Sequence, residues 1–187
     1  PEVAFNKDKF LADIRQALSE QDNVIVAVSE GIKDEDGNYI TASVAAADQF
    51  GHQQLSGAGK ALEFLVKENI GVKVRSVEVN VLQRCAAHMC SLTDIEESFN
   101  QGAYGVQIAE AGETASMVCL ERVSNNPYEI KYSHAAIANI ANEAKSVPRN
   151  WINEDGNDVT DELIEYLTPL IQGEVDVKYQ NGLPSYM

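Results

Sequence analysis

Two short apolar segments, each preceded by an amphipathic helix, constrain the fold of this chain more than any other feature. Asn6 is a candidate N-cap for a helix that runs to about Glu20, and Asn23–Ser29 follows with the sequence N-V-I-V-A-V-S. A second helix is predicted over Ala58–Asn69 and a second strand over Val72–Val81. A nearly continuous apolar run is typical of a strand that is buried on both faces. The order helix, strand, helix, strand predicts an α/β fold with a mainly parallel sheet.

Charged residues follow both predicted strands at their carboxyl ends, which is where open α/β sheets bind ligands. Glu30 comes directly after the first strand, although taken alone it fits a solvated loop acid better. In V-E-V-N-V-L-Q-R (Val77–Arg84), alternating valines indicate a strand that delivers Gln83 and Arg84 to the start of a predicted helix. Because an arginine at such a junction offers a planar fork of donors to phosphate, the pattern predicts an anion site.

The net charge of −15, from 14 basic and 29 acidic residues, argues against several classes of function. A protein that binds nucleic acid needs a basic face, and this chain has few residues from which to build one. The negative field also repels small anions, so a phosphate site must be a local cluster of arginine and backbone N–H groups. No apolar run approaches the roughly 20 residues of a membrane span, and the charged segment Pro1–Phe10 is unlike a signal peptide. We therefore expect neither a nucleic-acid partner nor a membrane partner.

The three cysteines, Cys85, Cys90 and Cys119, argue against a disulfide framework. Their odd number and the lack of a C-x-x-C pair indicate a reducing compartment, and we expect the protein to be cytoplasmic. Cys85 and Cys90 could be drawn with His88 as a metal cluster. Their spacing is not that of a zinc site, however, and no second pair of ligands follows. We therefore expect no metal site among these residues.

Three further motifs suggest a function, but each is better explained without one. The acidic turn Asp34–Asn38 resembles part of a calcium loop but lacks the later ligands and the closing glutamate. G-A-G-K at Gly57–Lys60 is not a P-loop, because the earlier glycine is misplaced and Ala61 stands where Ser or Thr should bind magnesium. His52 fits a surface or hydrogen-bonded histidine better than a catalyst.

The remaining chain is predicted to contain short elements joined by turns. In order, these are a helix from Cys85 to about Met89, a helix from the capping box at Thr93 to about Ala111, strands at Ser116–Arg122 and Tyr128–Tyr132, and helices at roughly His134–Lys145 and Asp161–Leu167.

Four segments, in this order along the chain, resemble a known family. They are V-I-V-A-V-S-E-G (Val24–Gly31), L-Q-R-C-A-A-H (Leu82–His88), V-P-R-N-W-I-N (Val147–Asn153) and P-L-I-Q-G-E…G-L-P-S-Y (Pro169–Tyr186). Together they resemble the carboxyl-terminal half of the pyrophosphate-dependent phosphofructokinases. The resemblance implies a three-layer α/β/α fold with a mainly parallel sheet, here a partial fold that lacks the N-terminal half. The chain also begins without Met, and we expect it to be a fragment of a longer protein.

The resemblance also implies an activity, the glycolytic transfer of a phosphoryl group from pyrophosphate, or from ATP, to O1 of fructose 6-phosphate. The family's G-G-D, T-I-D-N-D and M-G-R motifs are not among these residues. We therefore expect no catalytic residue in this chain, Mg²⁺ ligands only upstream of it, and no activity of the chain alone. One alternative is a non-catalytic sugar-phosphate-binding or regulatory subunit with the same fold. A generic α/β domain with solvated charges is the other.

The family's binding residues carry over to three positions. Glu30 matches the acid that binds the sugar hydroxyls, and Arg84 matches the arginine of the Q-R motif that holds the 6-phosphate. Arg75 matches an arginine that reaches the 6-phosphate of a neighbouring subunit in tetrameric bacterial members, which implies a homo-oligomer. Val81 departs from the family, whose members often carry Tyr or His there. Asn80 and Gln83 are possible substitutes; Asn80 should point to the opposite face of the strand from Val81, and Gln83 is the fourth predicted substrate-binding residue.

The resemblance further implies three regions. Residues 1–84 would form part of the fructose-6-phosphate-binding domain, and residues 85–150 would return to the donor domain in the full enzyme. Residues 151–187 would form a C-terminal helix and tail. Helices of the middle region would then have lost a neighbour, and we expect them to expose apolar faces.

Overall fold

The computed structural model describes residues 1–41, 43–47 and 53–185, without the side chains of residues 43–47, 53–56 and 87. His52, whose role was considered above, lies outside the described residues, as does Tyr186 of the fourth resembling segment. The chain divides into two compact units, Pro1–Asn80 and Val81–Met187.

The first unit contains two helices and one short antiparallel ladder. Helix α1 spans Lys7–Glu20 and helix α2 spans Ala58–Asn69. Between them, β1 (Ser43–Ala47) pairs antiparallel with β2 (Gln53–Ser56), with an irregular register. The side chain of Asn6 accepts a hydrogen bond from the backbone N–H of Lys9 at 2.9 Å, so the predicted N-cap is confirmed.

The two helices form the apolar core of this unit. The buried hydrophobic residues are Leu11, Ile14, Ala58, Leu62 and Val66. Leu11, Ile14 and Val66 form one cluster, and the partly buried residues packed against it are Phe10, Leu18, Val24, Leu65, Ile70 and Val74. Each helix thus presents the apolar stripe that its sequence predicts, and the two stripes cover each other.

The two predicted parallel strands are not formed. Neither Asn23–Ser29 nor Val72–Val81 pairs with another strand, and all ladders among the described residues are two-stranded and antiparallel. Ile25 is 96% exposed and Val77 is 83% exposed. A strand that is apolar on both faces is stable only between two sheet neighbours and two covering layers, and the described residues supply neither.

The second unit begins with short helical turns and continues with a long helix and a hairpin. Its elements are α3 (Asn80–Arg84, at the boundary), a 3₁₀ turn at Ala87–Met89, α4 (Leu92–Glu110), β3 (Ser116–Asn125), β4 (Tyr128–Ala136), 3₁₀ turns at Ile137–Asn139 and Arg149–Trp151, α5 (Asp161–Leu167), a 3₁₀ turn at Thr168–Ile171, β5 (Tyr179–Gln180) and β6 (Leu183–Pro184). The prediction of α5 is confirmed.

Two predictions in this unit are corrected by local hydrogen bonding. Helix α4 is capped by Ser91, whose hydroxyl accepts from the N–H of Asp94 at 3.1 Å, and not by Thr93. The predicted helix at His134–Lys145 does not form, because β4 extends through His134 to Ala136 and pairs with β3. The ladder satisfies the backbone groups that a helix would have used, so only a 3₁₀ turn follows it.

The start of α4 is joined to the segment after α5. The hydroxyl of Ser91 donates to the carbonyl of Leu170 at 2.6 Å, and the N–H of Leu92 donates to the carbonyl of Gly173 at 3.0 Å. Gly173 has φ +84°, and a Cβ there would lie 2.6 Å from Cβ of Leu92. Any other residue at this position would clash and strain the backbone.

The described side chains of the second unit form no buried core. None of its residues whose side chains the structure describes is buried. Phe99 and Val106 of α4 are 76% and 61% exposed, so the expectation that a helix of the middle region exposes apolar side chains agrees with the structure. In the described part of the chain, no helix is both long and apolar enough to cross a membrane.

Candidate functional site

Glu30 lies beside the start of α2. Its Oε2 accepts a hydrogen bond from the backbone N–H of Ala58, the first residue of that helix, at 3.4 Å. Gly57, the N-cap position, has no side chain to do this, so the Glu30 carboxylate satisfies one of the free N–H groups of the helix. The rest of the side chain is exposed. The carboxylate is therefore held in place and is still open to a ligand.

Arg75 is exposed on the segment that follows α2. It lies between Val74, which packs on the core of the first unit, and Ser76, and both of these neighbours are partly buried. Within the described residues, its guanidinium makes no hydrogen bond or ion pair. All of its donors are therefore available to an anion.

Glu63 of α2 fixes the residue next to Arg75. Its Oε2 accepts from the backbone N–H of Ser76 at 2.9 Å and from the Ser76 hydroxyl at 2.6 Å. Its Oε1 accepts from Nζ of Lys60 at 2.7 Å. The hydrogen bond from Lys60, followed by those from Ser76, lowers the pKa of Glu63 to about 2. The carboxylate is therefore ionised at any physiological pH.

Gln83 and Arg84 are the last two residues of α3, where the sequence predicted the end of a strand. The predicted junction is wrong in this respect, because a helical turn, and no paired strand, precedes Arg84. Asn80 opens this turn with φ +44°, in the left-handed region that residues other than glycine seldom adopt. Both side chains are exposed, and in the described part of the chain Arg84 has no carboxylate partner.

The four predicted residues are thus divided between the units. Glu30 and Arg75 belong to the first unit, where α2 is their common neighbour: Glu30 contacts its first residue, and Glu63 of α2 holds Ser76. Gln83 and Arg84 belong to the second unit. Sequence reasoning missed Glu63. The i,i+3 pair that it forms with Lys60 on a predicted helix was the available signal.

The sequence did not point to Arg122, because this residue lies in no recognisable motif. Its guanidinium lies 3.9 Å from the ring centre of Tyr166 and 4.8 Å from that of Tyr128. It donates to the carbonyl of Tyr166 at 2.6 Å and to Oδ1 of Asn125 at 3.2 Å. These contacts join the hairpin to α5. Because its donors are used within the protein, Arg122 is a structural residue of the second unit.

Metal-binding side chains are not clustered in the described part of the chain. No group of three or more His, Cys, Asp or Glu side chains among the described residues is placed to hold a metal ion. Cys85 is exposed, and Cys90 is directed to the carbonyl of Ala86 at 3.9 Å.

Comparison with known proteins gives relatives along the whole chain. The pyrophosphate–fructose 6-phosphate 1-phosphotransferase of Xanthomonas campestris is 38% identical over 100% of this chain and 45% of its own length. That of Halomonas elongata is 35% identical over 98% of this chain and 44% of its own length. The crystal structure of a pyrophosphate-dependent phosphofructokinase from Nitrosospira multiformis superposes with a TM-score of 0.82 at 37% identity, covering 100% of this chain and 43% of that one. No family model matches the chain.

These comparisons confirm two predictions. The four resembling segments did identify the family, and the TM-score of 0.82 confirms a partial phosphofructokinase-like α/β fold. The chain spans less than half the length of the relatives that it matches. Over its full length, this chain is a homologue of part of the pyrophosphate-dependent phosphofructokinases.

Proposed function

We propose that this chain is the carboxyl-terminal part of a 6-phosphofructokinase that transfers a phosphoryl group from pyrophosphate to O1 of fructose 6-phosphate. The observation that carries the proposal is a sequence match. The whole chain aligns, at 35–38% identity, with about 44% of the length of enzymes that have that name. The exposed apolar side chains of the second unit support it, because a surface taken from the interior of a larger fold has this composition. The regions 1–84, 85–150 and 151–187 are part of the proposal.

The chain would contribute groups that bind the sugar phosphate. In the proposal, Arg84 binds the 6-phosphate, Glu30 accepts hydrogen bonds from sugar hydroxyls, and Gln83 adds a polar contact in place of the side chain missing at Val81. Arg75 binds the 6-phosphate held by a neighbouring subunit of a homo-oligomer. The exposure of both arginines and their lack of partners among the described residues support these roles. An exposed, unpaired guanidinium can form a bidentate contact with phosphate without first breaking an internal ion pair.

Two further statements belong to the proposal. The Mg²⁺ that phosphoryl transfer requires is bound by residues outside this chain. The chain alone is inactive, since donor, metal and acceptor must be positioned together. An assay of the isolated chain beside the full-length protein, with pyrophosphate and ATP in parallel, tests both the inactivity and the choice of donor. Turnover by the isolated chain would contradict the proposal.

The role of Arg84 is tested by binding of fructose 6-phosphate to the full-length protein. We expect Arg84→Ala to weaken binding by about 1.5–3 kcal/mol, the scale of a hydrogen bond to a charged group. Arg84→Lys should recover only part of the loss, because an ammonium group cannot form the bidentate contact. Arg15→Ala is the matched control. Arg15 donates to the carbonyl of Asn69 and has no proposed role in binding.

Calorimetric titration distinguishes the outcomes. Unchanged affinity in Arg84→Ala would remove that residue from the site, and an equal loss in Arg15→Ala would show a general effect of charge. Glu30→Gln should weaken binding of the sugar phosphate more than binding of inorganic phosphate, because its proposed partners are hydroxyl groups. Equal losses for the two ligands would contradict that role.

The second candidate is a non-catalytic, sugar-phosphate-binding regulatory subunit, and one observation favours it. Val81 replaces a residue that often donates to the sugar phosphate in the family, and its 66% exposed side chain in α3 has no group that can donate a hydrogen bond. A full-length protein that binds fructose 6-phosphate but does not turn over with pyrophosphate or ATP would support this candidate over the first.

A further inference from the structure

The segment that carries Arg75 has few other restraints. Residues 72–79 pair with no strand in the described part of the chain. The hydrogen bonds found for them come from Ser76, and Oε2 of Glu63 accepts both. Val74 adds an apolar contact with the core. The backbone on either side of Arg75 is therefore positioned by one apolar contact and one carboxylate.

The carboxylate of Glu63 is itself firmly held. Lys60, one turn earlier on α2, donates to Oε1 at 2.7 Å, which leaves Oε2 for Ser76. The side chain of Glu63 is 15% exposed, so little water competes for these contacts. Gly59 allows α2 to approach closely here, since a Cβ built on it would lie 3.4 Å from Cβ of Ser76. Helix, carboxylate and segment form one compact contact, all within the first unit.

We propose that Glu63 is a positioning residue for Arg75: by binding the N–H and hydroxyl of Ser76, it sets where the exposed guanidinium can meet a phosphate group. This inference rests on the proposed function. The burial pattern gives the mechanism, because Val74 and Ser76 are partly buried towards α2 while Arg75 between them is exposed. Loss of the Ser76 anchor frees the segment to rotate, and a bidentate guanidinium–phosphate contact tolerates little misorientation.

The test is steady-state kinetics of the full-length protein with pyrophosphate. We expect Glu63→Ala to raise KM for fructose 6-phosphate about threefold to tenfold, within the range of coupling between neighbouring residues. KM for pyrophosphate and kcat should stay within about twofold, because a positioning defect at one phosphate contact does not alter the donor site. Glu63→Gln retains an oxygen that accepts from Ser76 and should recover most of the loss. Lys67→Gln, an exposed residue of the same helix whose side chain has no contact with Glu63 among the described residues, is the matched control and should change neither KM.

A double-mutant cycle separates positioning from a general structural role. Once Arg75 is alanine, nothing remains for Glu63 to position, so Glu63→Ala should cause no further increase in KM for fructose 6-phosphate. An independent, additive increase would overturn the inference, and so would equal increases in KM for both substrates. Because Glu63→Ala can also destabilise the protein, thermal unfolding of each variant is measured. Ser76→Ala, which removes the hydroxyl that donates to Glu63 and leaves the carboxylate in place, gives the same comparison in a less disturbed protein.

The two proposals fail in different ways. If Arg75→Ala raises KM for fructose 6-phosphate and the Glu63 variants do not, the positioning role is wrong and the proposed function stands. If Arg75→Ala leaves that KM unchanged in an active enzyme, both the phosphate-binding role of Arg75 and the positioning role of Glu63 are wrong. If the full-length protein has no phosphofructokinase activity, binding of fructose 6-phosphate replaces KM as the measured quantity in the same cycle.

Discussion

The two units are held together by different kinds of contact. In the first unit, α1 and α2 bury Leu11, Ile14 and Val66 against each other, and Leu62 of α2 is also buried. In the second unit no described side chain is buried, and order comes from the hairpin ladder, the capped start of α4 and the contacts of Arg122. Two amphipathic helices can cover each other, whereas the apolar side of α4, with Phe99 76% exposed, needs a layer that the described residues do not supply.

The difference is informative about how a partial fold behaves. Backbone hydrogen bonds and caps are satisfied locally, so they can form in a piece of a protein as they do in the whole. A hydrophobic layer is complete only when both of its sides are present. The first unit meets this condition on a small scale. Four predictions test or refine the comparison, beginning with the largest expected effect.

Removing core volume should be costly in the first unit and nearly neutral in the second. We expect Leu62→Ala to lower the free energy of unfolding of the 187-residue chain by about 2–4 kcal/mol, since Leu62 is 6% exposed. Phe99→Ala on α4 should change it by less than about 0.5 kcal/mol, because the ring is already in water. Urea denaturation measures both. A similar loss in the two variants would mean that α4 has a packing partner in solution. In the full-length protein, we expect Phe99→Ala to lower the free energy of unfolding clearly.

The stability of the second unit should depend on one polar side chain. Arg122→Ala removes hydrogen bonds to Tyr166 and Asn125 and the stacking on two rings, and it should cost about 1.5–3 kcal/mol. Arg122→Lys should recover little, since lysine lacks the planar fork. Arg84→Ala is the control, with an expected change within about 0.5 kcal/mol because that side chain is exposed and unpaired among the described residues. Chemical denaturation followed by circular dichroism gives the comparison. Equal effects of the two alanine variants would contradict the structural role of Arg122.

Tyr128, in the same hairpin, should lose its phenol proton at a higher pH than an ordinary tyrosine. Burial, followed by the hydrogen bond to Glu97 and repulsion from its charge, raises the pKa of Tyr128 to about 12. The folded protein holds this proton more tightly than the unfolded chain, whose tyrosine pKa is 10.0, so the stabilising contribution is present below pH 10 and is lost as the pH rises towards 12. The measurement is phenolate absorbance as a function of pH in the unmutated protein and in Tyr128→Phe. The difference between the two curves gives the pKa of Tyr128. Glu97→Gln should lower it, and an ordinary pKa in the unmutated protein would show that the contact between α4 and the hairpin is open in solution.

The smallest expected effect concerns Glu63 in the first unit. Its pKa is lowered from 4.5 to about 2, chiefly by the hydrogen bond from Lys60, so it stabilises the fold above pH 4.5 and loses that contribution as the pH falls towards 2. Thermal unfolding over this range should show a shallower loss of stability in Glu63→Gln than in the unmutated protein. Asp13→Asn, which removes an acid of α1, is the comparison variant. Parallel curves for the Glu63 variant and the unmutated protein would contradict the strong contact with Ser76.

Local signals predicted the helices well and the strands unevenly. Helices α1, α2 and α5 form where periodicity and caps place them, because most of a helix's hydrogen bonds lie within the helix itself. The hairpin at β3 and β4 also forms where predicted and runs further, since its partner is adjacent in the sequence. The strands predicted at residues 23–29 and 72–81 do not form. A strand needs a neighbour for its backbone groups, and no described segment pairs with either of them.

The candidate site was predictable in part for the same reason. The sequence singled out Glu30, Arg75, Gln83 and Arg84 by their places after apolar segments and by resemblance to a family. It could not reveal that Glu30 caps α2 or that Glu63 binds Ser76, because these contacts join residues 28 and 13 positions apart. Arg122 was missed because its partner Tyr166 is even further away, at 44 positions along the chain.

The sequence by itself determined the resemblance to the family, the positions of helices α1, α2 and α5, the cap of α1, and the scarcity of basic residues for an anion site. These features depend on the order of neighbouring residues, and that order is fully present in the chain. Only the tertiary structure decided which apolar segments are covered, which carboxylates are occupied and which guanidinium groups are free. The physical reason is that burial and hydrogen bonding between distant segments depend on which surfaces meet. The core of α1 and α2 has both of its surfaces in these residues, and the apolar side of α4 has only one.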